Sequence, residues 1–182
     1  PIPFEEKILF LNDQLLVVDK PHFVAVTPGG RFLRETLLAR LKRSTSIDTL
    51  TPIHRLDRET AGVMMFSVDP STRSLWQSLF RQQKVNKIYE AVAPFSELMS
   101  FPQEISSCIV RDDKFFRMRE IESVANAFTI IEVLERRGPL ALYRLYPRTG
   151  KMHQLRVHMN SLGIPILNDR FYPEALLAGP DD

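Results

Sequence analysis

Short apolar or alternating segments, separated by polar turns, constrain the fold of this chain more than any other feature. Alternation over about four to eight residues is typical of β-strands, whereas apolar residues three or four positions apart indicate helices. Strand-like segments occupy residues 8–10, 15–19, 62–66, 87–92, 104–111, 115–119, 127–134 and 140–146. Helical spacing is confined to residues 35–42, to a segment whose helix start is predicted at Asp69-Pro70-Ser71, and to residues 151–162. The pattern predicts an α+β fold with a mixed or largely antiparallel central sheet and flanking helices.

The composition favours one globular domain. The chain has 182 residues, of which 44% are hydrophobic and 25% are charged, so we expect a single domain over residues 1–182. The single cysteine, Cys108, excludes a disulfide framework and suits a reducing compartment. Apolar stretches are far shorter than the roughly 20 residues of a membrane-spanning helix. We therefore expect a cytoplasmic protein without a targeting segment or a membrane partner.

Three polar segments combine residue types that carry chemistry. They are His-Arg-Leu-Asp-Arg-Glu-Thr-Ala-Gly at residues 54–62, Lys-Ile-Tyr-Glu-Ala at 87–91, and Arg-Thr-Gly-Lys-Met-His-Gln-Leu-Arg-Val-His at 148–158. In the first segment Asp57 lies between Arg55 and Arg58, and the neighbouring positive charge favours an ionised, nucleophilic carboxylate. An aspartate held in a structural ion pair is the alternative interpretation.

The histidines do not indicate a metal site. His153 and His158 are five residues apart, outside the i, i+4 spacing that places two ligands on one helical face, and no cysteine pair accompanies them. A hydrolase or phosphodiesterase that uses a metal ion or a Ser/His/Asp arrangement is disfavoured for the same reason.

Together and in this order, the three segments resemble the RluA/RsuA-type RNA pseudouridine synthases, most closely the RluA branch. That family has a His-Arg-Leu-Asp-Arg loop, a Lys-x-Tyr strand and an Arg-Thr-Gly-Arg-x-His-Gln-x-Arg-x-His helix. Lys20-Pro21 and Gly-Ile-Pro-Ile at 163–166 extend the resemblance to most of the chain. The resemblance implies the pseudouridine synthase fold around an active-site cleft. It also implies an isomerase that converts specific uridines of ribosomal or transfer RNA to pseudouridine without a metal or cofactor.

The resemblance assigns catalytic roles to three residues. Asp57 matches the catalytic aspartate, and Tyr89 matches a tyrosine that lies against the uracil ring. Arg156 matches an arginine that pairs with the aspartate and takes the place of the extruded base. A core tyrosine with a satisfied hydroxyl is the alternative for Tyr89, and an exposed helix charge is the alternative for Arg156. The residue types leave open whether the carboxylate attacks the sugar or the base, or whether the ribose undergoes elimination.

The last predicted helix, residues 151–162, has an apolar stripe. The stripe consists of Met152, Leu155, Met159 and Leu162. Arg156 lies at the edge of this stripe, where an unpaired guanidinium would be costly, so we expect it to have a carboxylate partner.

A uridine inside folded RNA must leave the base stack before it reacts, which costs about a few kcal/mol and favours loops and bulges as substrates. We therefore expect positive side chains around the pocket. Five residues of the motifs are candidates for RNA contact: Arg55, Arg58, Arg148, Lys151 and His153. Nothing in the sequence indicates an obligate protein partner.

The chain departs from the family pattern at several positions. Lys151 replaces the usual Arg, and Asn168-Asp169 replaces the usual Gly-Asp. Residues 176–179 stand where the family continues with a Leu-His-Ala strand, so we expect a C-terminal truncation, and we expect no N-terminal S4-like domain in this chain. A non-catalytic RNA-binding protein that retains the synthase fold is the alternative function, motivated by this difference and by the net charge of only +2.

Overall fold

The computed structural model describes residues 3–29, 35–113 and 117–174, so the predicted difference at 176–179 lies outside the described residues. The chain divides into two compact units, unit 1 (Pro1–Val85) and unit 2 (Asn86–Asp182). The strand pairs of the described ranges are antiparallel, and each unit contains strands and at least one helix, which confirms the α+β class. Among these helices, none is long and apolar enough to cross a membrane.

Unit 1 contains a four-stranded sheet. Its strands are β1 (Lys7–Leu11), β2 (Leu15–Lys20), β3 (Thr51–Pro52) and β4 (Gly62–Ser67), in the spatial order β1-β2-β4-β3. The Asn12 carboxamide oxygen accepts the N–H groups of Gln14 and Leu15 and closes the turn between β1 and β2. The predicted hairpin and the predicted strand at 62–66 are both confirmed. The strand is buried on one face only, because Met64 and Phe66 are buried but Val63 is exposed.

Two helices accompany this sheet, and both begin later than predicted. Helix α1 (Leu37–Thr45) follows Thr36, whose hydroxyl accepts the N–H of Ala39. Helix α2 (Arg73–Arg81) begins at Arg73, so the predicted helix start at Asp69-Pro70 was wrong. The Asp69 carboxylate accepts the N–H and the hydroxyl of Ser71 instead, and it therefore closes a local turn before the helix.

Unit 2 contains a five-stranded sheet and one helix. The strands are β5 (Tyr89–Pro94), β6 (Gln103–Arg111), β7 (Met118–Ile121), β8 (Ala127–Arg137) and β9 (Leu140–Pro147), in the order β5-β9-β8-β6-β7. All five correspond to predicted strands. Two of them begin later than predicted, β5 at Tyr89 and β7 at Met118, and residues 115–116 lie outside the described residues.

Helix α3 (Gln154–Ser161) does not pack through the predicted apolar stripe alone. Met159 is fully buried, but Met152, Leu155 and Leu162 are only partly buried. The other buried residues of the helix are Gln154, Arg156, Val157 and His158. The four residues of the predicted stripe pack against the core clusters of unit 2, and three polar side chains, which the stripe does not predict as a group, share the buried surface.

Hydrogen bonds to β8 make this polar burial possible. The Gln154 side-chain amide donates to the carbonyl of Phe128 and to the hydroxyl of Thr129, both at 3.0 Å. His158 Nδ1 lies 2.8 Å from the same Thr129 hydroxyl, and its Nε2 lies 3.1 Å from the hydroxyl of Ser107. Buried polar groups are tolerated when they are hydrogen-bonded in this way. The bonds fix the rotation of α3 about its axis, and therefore the direction in which Arg156 leaves it.

The burial of His158 predicts a pH-dependent stability. Burial lowers the pKa of His158 from 6.5 to about 4, against the opposing effect of the nearby Glu120 carboxylate. Between these pH values the unfolded chain binds a proton at this position and the folded chain does not, so this residue makes the protein less stable as the pH falls. The unfolding free energy of His158→Asn, measured with urea, should therefore depend less on pH between 6.5 and 4 than that of the wild type. Parallel curves for the two proteins would contradict this prediction.

Candidate active site

In unit 1 the loop between β3 and β4 carries three predicted site residues: Arg55, Asp57 and Arg58. Its first residues continue the pairing with β4, because Ile53 donates its N–H to the carbonyl of Met65, and Met65 donates its N–H to His54 Nε2. The Leu56 side chain is buried, whereas Arg55 before it is exposed and Asp57 after it is half-buried. The loop therefore directs an apolar side chain into the core and presents polar side chains on either side of it.

Lys20, at the end of β2, binds the main chain of this loop after Asp57. Its ammonium group is completely buried and donates to three main-chain carbonyls, those of Pro21 at 3.1 Å, Val24 at 2.9 Å and Arg58 at 3.1 Å. Three acceptors match the three ammonium hydrogens. Burial lowers the pKa of Lys20 to about 8, although the charges of Glu59 and Asp57 raise it. Lys20 is therefore protonated at neutral pH, and it fixes the main chain one residue after Asp57.

An ion pair and two hydrogen bonds of the main chain hold the residues next to Asp57. Arg58 Nε donates to the Glu59 carboxylate at 3.0 Å, so Arg58 is engaged within the protein. The carbonyl of Asp57 accepts the N–H of Thr60, which turns the chain back towards β4. His22 Nδ1 lies 2.6 Å from the carbonyl of Glu59. The loop is thus bonded on both sides of Asp57, and this rigidity suits a reactive carboxylate.

In unit 2, Tyr89 is the first residue of β5 and lies opposite Leu145 of β9. Its side chain packs against the core cluster of this unit, as does that of Ala91, while Ile88 and Glu90 are exposed. The predicted alternation along this strand is confirmed. Tyr89 remains half-buried, so part of its side chain is accessible to a ligand.

The loop that joins β9 to α3 is fixed by a second set of polar contacts. The Thr149 hydroxyl donates to the Gln154 side-chain oxygen at 2.7 Å and accepts the N–H of Phe128 at 3.0 Å. The same Gln154 oxygen accepts the N–H of Lys151, and Lys87 Nζ donates to the carbonyl of Thr149 at 2.7 Å. Both acceptor positions of the Gln154 oxygen are therefore used within the loop.

The predicted RNA-contacting residues of this loop differ in exposure. The side chains of Arg148 and Lys151 are exposed, whereas His153 is half-buried. His153 has a left-handed backbone conformation, with φ of 54°, and its Nδ1 lies 3.1 Å from the Tyr172 hydroxyl. His153 therefore contributes to the structure of the helix N-terminus.

Arg156 has the carboxylate partner that its position requires. Its Nε and Nη2 donate to the two carboxylate oxygens of Asp169 at 2.6 Å and 2.7 Å. The Arg156 side chain is 10% exposed and that of Asp169 is 4% exposed, so this is a nearly buried ion pair. The predicted need for a carboxylate is confirmed. The pair with Asp57 that the resemblance implies stays a prediction.

Sequence reasoning missed several residues that hold the motif residues in place within each unit. Thr149, Gln154 and His158 belong to the third motif but received no role, although polar residues repeated within an amphipathic helix are a signal of buried hydrogen bonding. The sequence indicates Lys20 only as part of Lys20-Pro21, and Asp169 only as part of a departure from the family pattern. Within the described ranges, no group of three His, Cys, Asp or Glu side chains is arranged to hold a metal ion.

Comparison with known proteins identifies the relatives of this chain. The family model described as RNA pseudouridylate synthase matches residues 14–161. The human pseudouridylate synthase RPUSD2 is 33% identical over 91% of this chain, and the match covers 30% of the relative. Ribosomal large subunit pseudouridine synthase D of Borreliella burgdorferi is 31% identical over 91% of this chain, and 54% of that relative is covered. The chain thus spans about a third to a half of the length of these relatives.

A solved structure shows the same fold. Human RNA pseudouridylate synthase domain containing 4 superimposes with a TM-score of 0.74 and 30% identity, over 93% of this chain and 72% of that chain. These matches confirm the resemblance that the three motifs indicate.

The contacts of Lys20 predict a stability defect. Lys20→Met would leave three main-chain carbonyls without their ammonium donor, so we expect the unfolding free energy to fall by about 2–4 kcal/mol in urea unfolding. Lys7→Met, which replaces an exposed lysine of β1, is the matched control and should stay within about 0.5 kcal/mol of the wild type. Equal stability of the two variants would contradict the role assigned to Lys20.

Proposed function

This chain belongs to the RNA pseudouridylate synthase family, and we propose that it isomerises specific uridines of ribosomal or transfer RNA to pseudouridine with Asp57 as the catalytic carboxylate. The observation that carries the proposal is the position of Asp57. It lies in the family's His-Arg-Leu-Asp-Arg loop, and hydrogen bonds to β4, Lys20 and His22 hold this loop on both sides of it. A non-catalytic RNA-binding protein would have no need for an aspartate in a loop whose main chain is held in this way.

The proposed reaction conserves the atoms of the nucleoside. The bond between N1 of uracil and C1′ of ribose breaks, a bond between C5 and C1′ forms, the hydrogen on C5 leaves as a proton, and N1 gains a proton. Asp57 acts as a nucleophile at C1′ or at C6 of the base, or it assists elimination at the ribose. Each route needs the carboxylate within contact distance of the flipped nucleotide, which is why a rigid loop is advantageous.

Tyr89 and Arg156 complete the proposed catalytic set. The accessible part of Tyr89 suits stacking against the uracil ring, because an aromatic face stabilises an unstacked base. Arg156 interacts with the catalytic aspartate, as the resemblance implies. The nearly buried position of its guanidinium suits this pairing better than the other role that the resemblance implies, occupation of the place of the extruded base. Its guanidinium has five N–H donors, so the bidentate bond to Asp169 does not exhaust its capacity for hydrogen bonding.

The proposed RNA contacts divide into two groups. The exposed cations Arg55, Arg148 and Lys151 suit phosphate contacts that position the RNA. Arg58 and His153 are engaged with Glu59 and Tyr172, so we assign them a role that combines RNA contact with support of their loops.

The proposal also covers the setting of the reaction. We place the whole chain in one catalytic domain that acts in the cytoplasm, where a lone thiol such as Cys108 stays reduced. The isomerisation uses no metal, organic cofactor or obligate protein partner.

Asp57→Asn tests the proposal. The substitution is nearly isosteric but removes the nucleophile, so the rate of tritium release from 5-tritiated uridine in RNA should fall by about three orders of magnitude or more. RNA affinity, measured by filter binding, should stay within about tenfold of the wild type. Asp48→Asn, which changes an exposed aspartate of unit 1, is the control and should retain the wild-type rate.

Ribosomal and transfer RNA should be compared in the same assay, because the rates rank the two substrate classes. Release that survives Asp57→Asn would overturn the assignment of Asp57. Binding of both RNAs without release by the wild-type chain would favour the non-catalytic function.

A further inference from the structure

Asp169 fixes the plane of the Arg156 guanidinium. The two hydrogen bonds of 2.6 Å and 2.7 Å come from Nε and Nη2, which lie on the same edge of the planar group. A bidentate pair of this kind determines both the position and the tilt of a guanidinium, unlike a single hydrogen bond. Because both side chains are nearly buried, solvent does not compete for this edge.

The Asp169 carboxylate is itself held by the main chain. Its Oδ1 accepts the N–H of Phe171 at 2.8 Å and the N–H of Tyr172 at 3.3 Å. Its own N–H donates to the carbonyl of Ile166. Asn168 before it has φ of 61°, a left-handed conformation that Gly and Asn adopt more readily than other residues. The local turn therefore leaves the carboxylate little rotational freedom.

The segment that contains Asp169, residues 166–172, is bonded to three other parts of unit 2. The N–H of Leu167 donates to the carbonyl of Val92 in β5, the strand that begins with Tyr89. The Tyr172 hydroxyl accepts the N–H of Met118 in β7 at 2.9 Å and lies 3.1 Å from the carbonyl of the same residue. It also lies 3.1 Å from Nδ1 of His153, the residue before α3.

Two aromatic rings complete the surroundings of Arg156. The guanidinium carbon lies 5.1 Å from the centre of the Phe171 ring and 5.4 Å from the centre of the Tyr172 ring. Both distances are within the range of a cation–π interaction. The same short segment thus supplies a carboxylate for one edge of the guanidinium and aromatic rings near it.

We propose that Asp169 is a positioning residue for the isomerisation, which holds one edge of the Arg156 guanidinium so that this catalytic arginine keeps one orientation during the reaction. This inference rests on the proposed function, in which Arg156 is a catalytic residue. Preorganisation of a cationic group lowers the barrier of a step in which that group must adopt one orientation. A pair that served stability alone would affect folding without affecting turnover.

Asp169→Asn is the principal test. The carboxamide oxygen can still accept the N–H groups of Phe171 and Tyr172, but the charge is lost and one acceptor for Arg156 becomes a donor. We expect kcat for tritium release to fall about 10- to 100-fold, with KM for the RNA within about threefold of the wild type. Glu97→Gln, which removes the exposed pair of Glu97 with Arg136, is the matched control and should leave both parameters unchanged.

A double-mutant cycle separates positioning from stability. If Asp169 acts through the Arg156 guanidinium, Asp169→Asn should have much less effect on kcat when Arg156 is already replaced by Lys. Asp169→Glu, which keeps the charge, should retain more turnover than Asp169→Asn and serves as the second variant if the latter does not fold.

Each remaining outcome contradicts the inference. An unchanged kcat in Asp169→Asn, a defect confined to KM, or an equal loss in the Arg156→Lys background would overturn the role of Asp169 and leave the proposed function intact. Absence of turnover in the wild type would overturn the proposed function, and this inference with it.

Discussion

The arrangement of unit 2 depends most on the hydrogen bonds of the Gln154 side-chain amide. Its NH₂ group bonds to β8, while its oxygen accepts from the Thr149 hydroxyl and the Lys151 N–H. One buried residue therefore joins the sheet, the loop after β9 and the start of α3. A buried amide leaves few arrangements open, because any displacement would leave polar groups without partners. The exposed cations of the loop and the buried Arg156 of the helix take their directions from this contact.

In unit 1, a buried ammonium group rather than a buried amide holds the main chain in place. The ammonium group of Lys20 donates to three main-chain carbonyls, and one of them belongs to Arg58 in the loop of Asp57. In both units, a buried polar side chain holds the main chain while the neighbouring basic side chains remain accessible. This division suits an RNA-modifying enzyme, since phosphate contacts need mobile, solvated cations but the chemistry needs fixed groups.

Local patterns were sufficient to predict every described strand except the two-residue β3, and also the β1–β2 hairpin and the α+β class, because alternation and turn chemistry act over a few residues. The motifs located the residues that the family uses, although they gave no account of how these residues are held. The differences from the predictions have a common cause. The Asp69 carboxylate closes a turn instead of capping a helix, and α3 buries Gln154 and His158. In both cases the structure follows from hydrogen bonds that the sequence pattern does not show. The acceptor for Lys20 at Arg58 is 38 residues away and the partner of Arg156 is 13 residues away, and such contacts leave no periodicity in the sequence.

The central claim is that this chain converts uridine to its carbon-linked isomer. The most direct measurement incubates the purified chain with unmodified ribosomal and transfer RNA transcripts, digests the RNA to nucleosides and analyses them by liquid chromatography with tandem mass spectrometry. The digest should contain a nucleoside with the mass of uridine that does not release its ribose on fragmentation, because a C–C bond has replaced the C–N bond. Recovery of uridine alone from both RNAs would contradict this conversion.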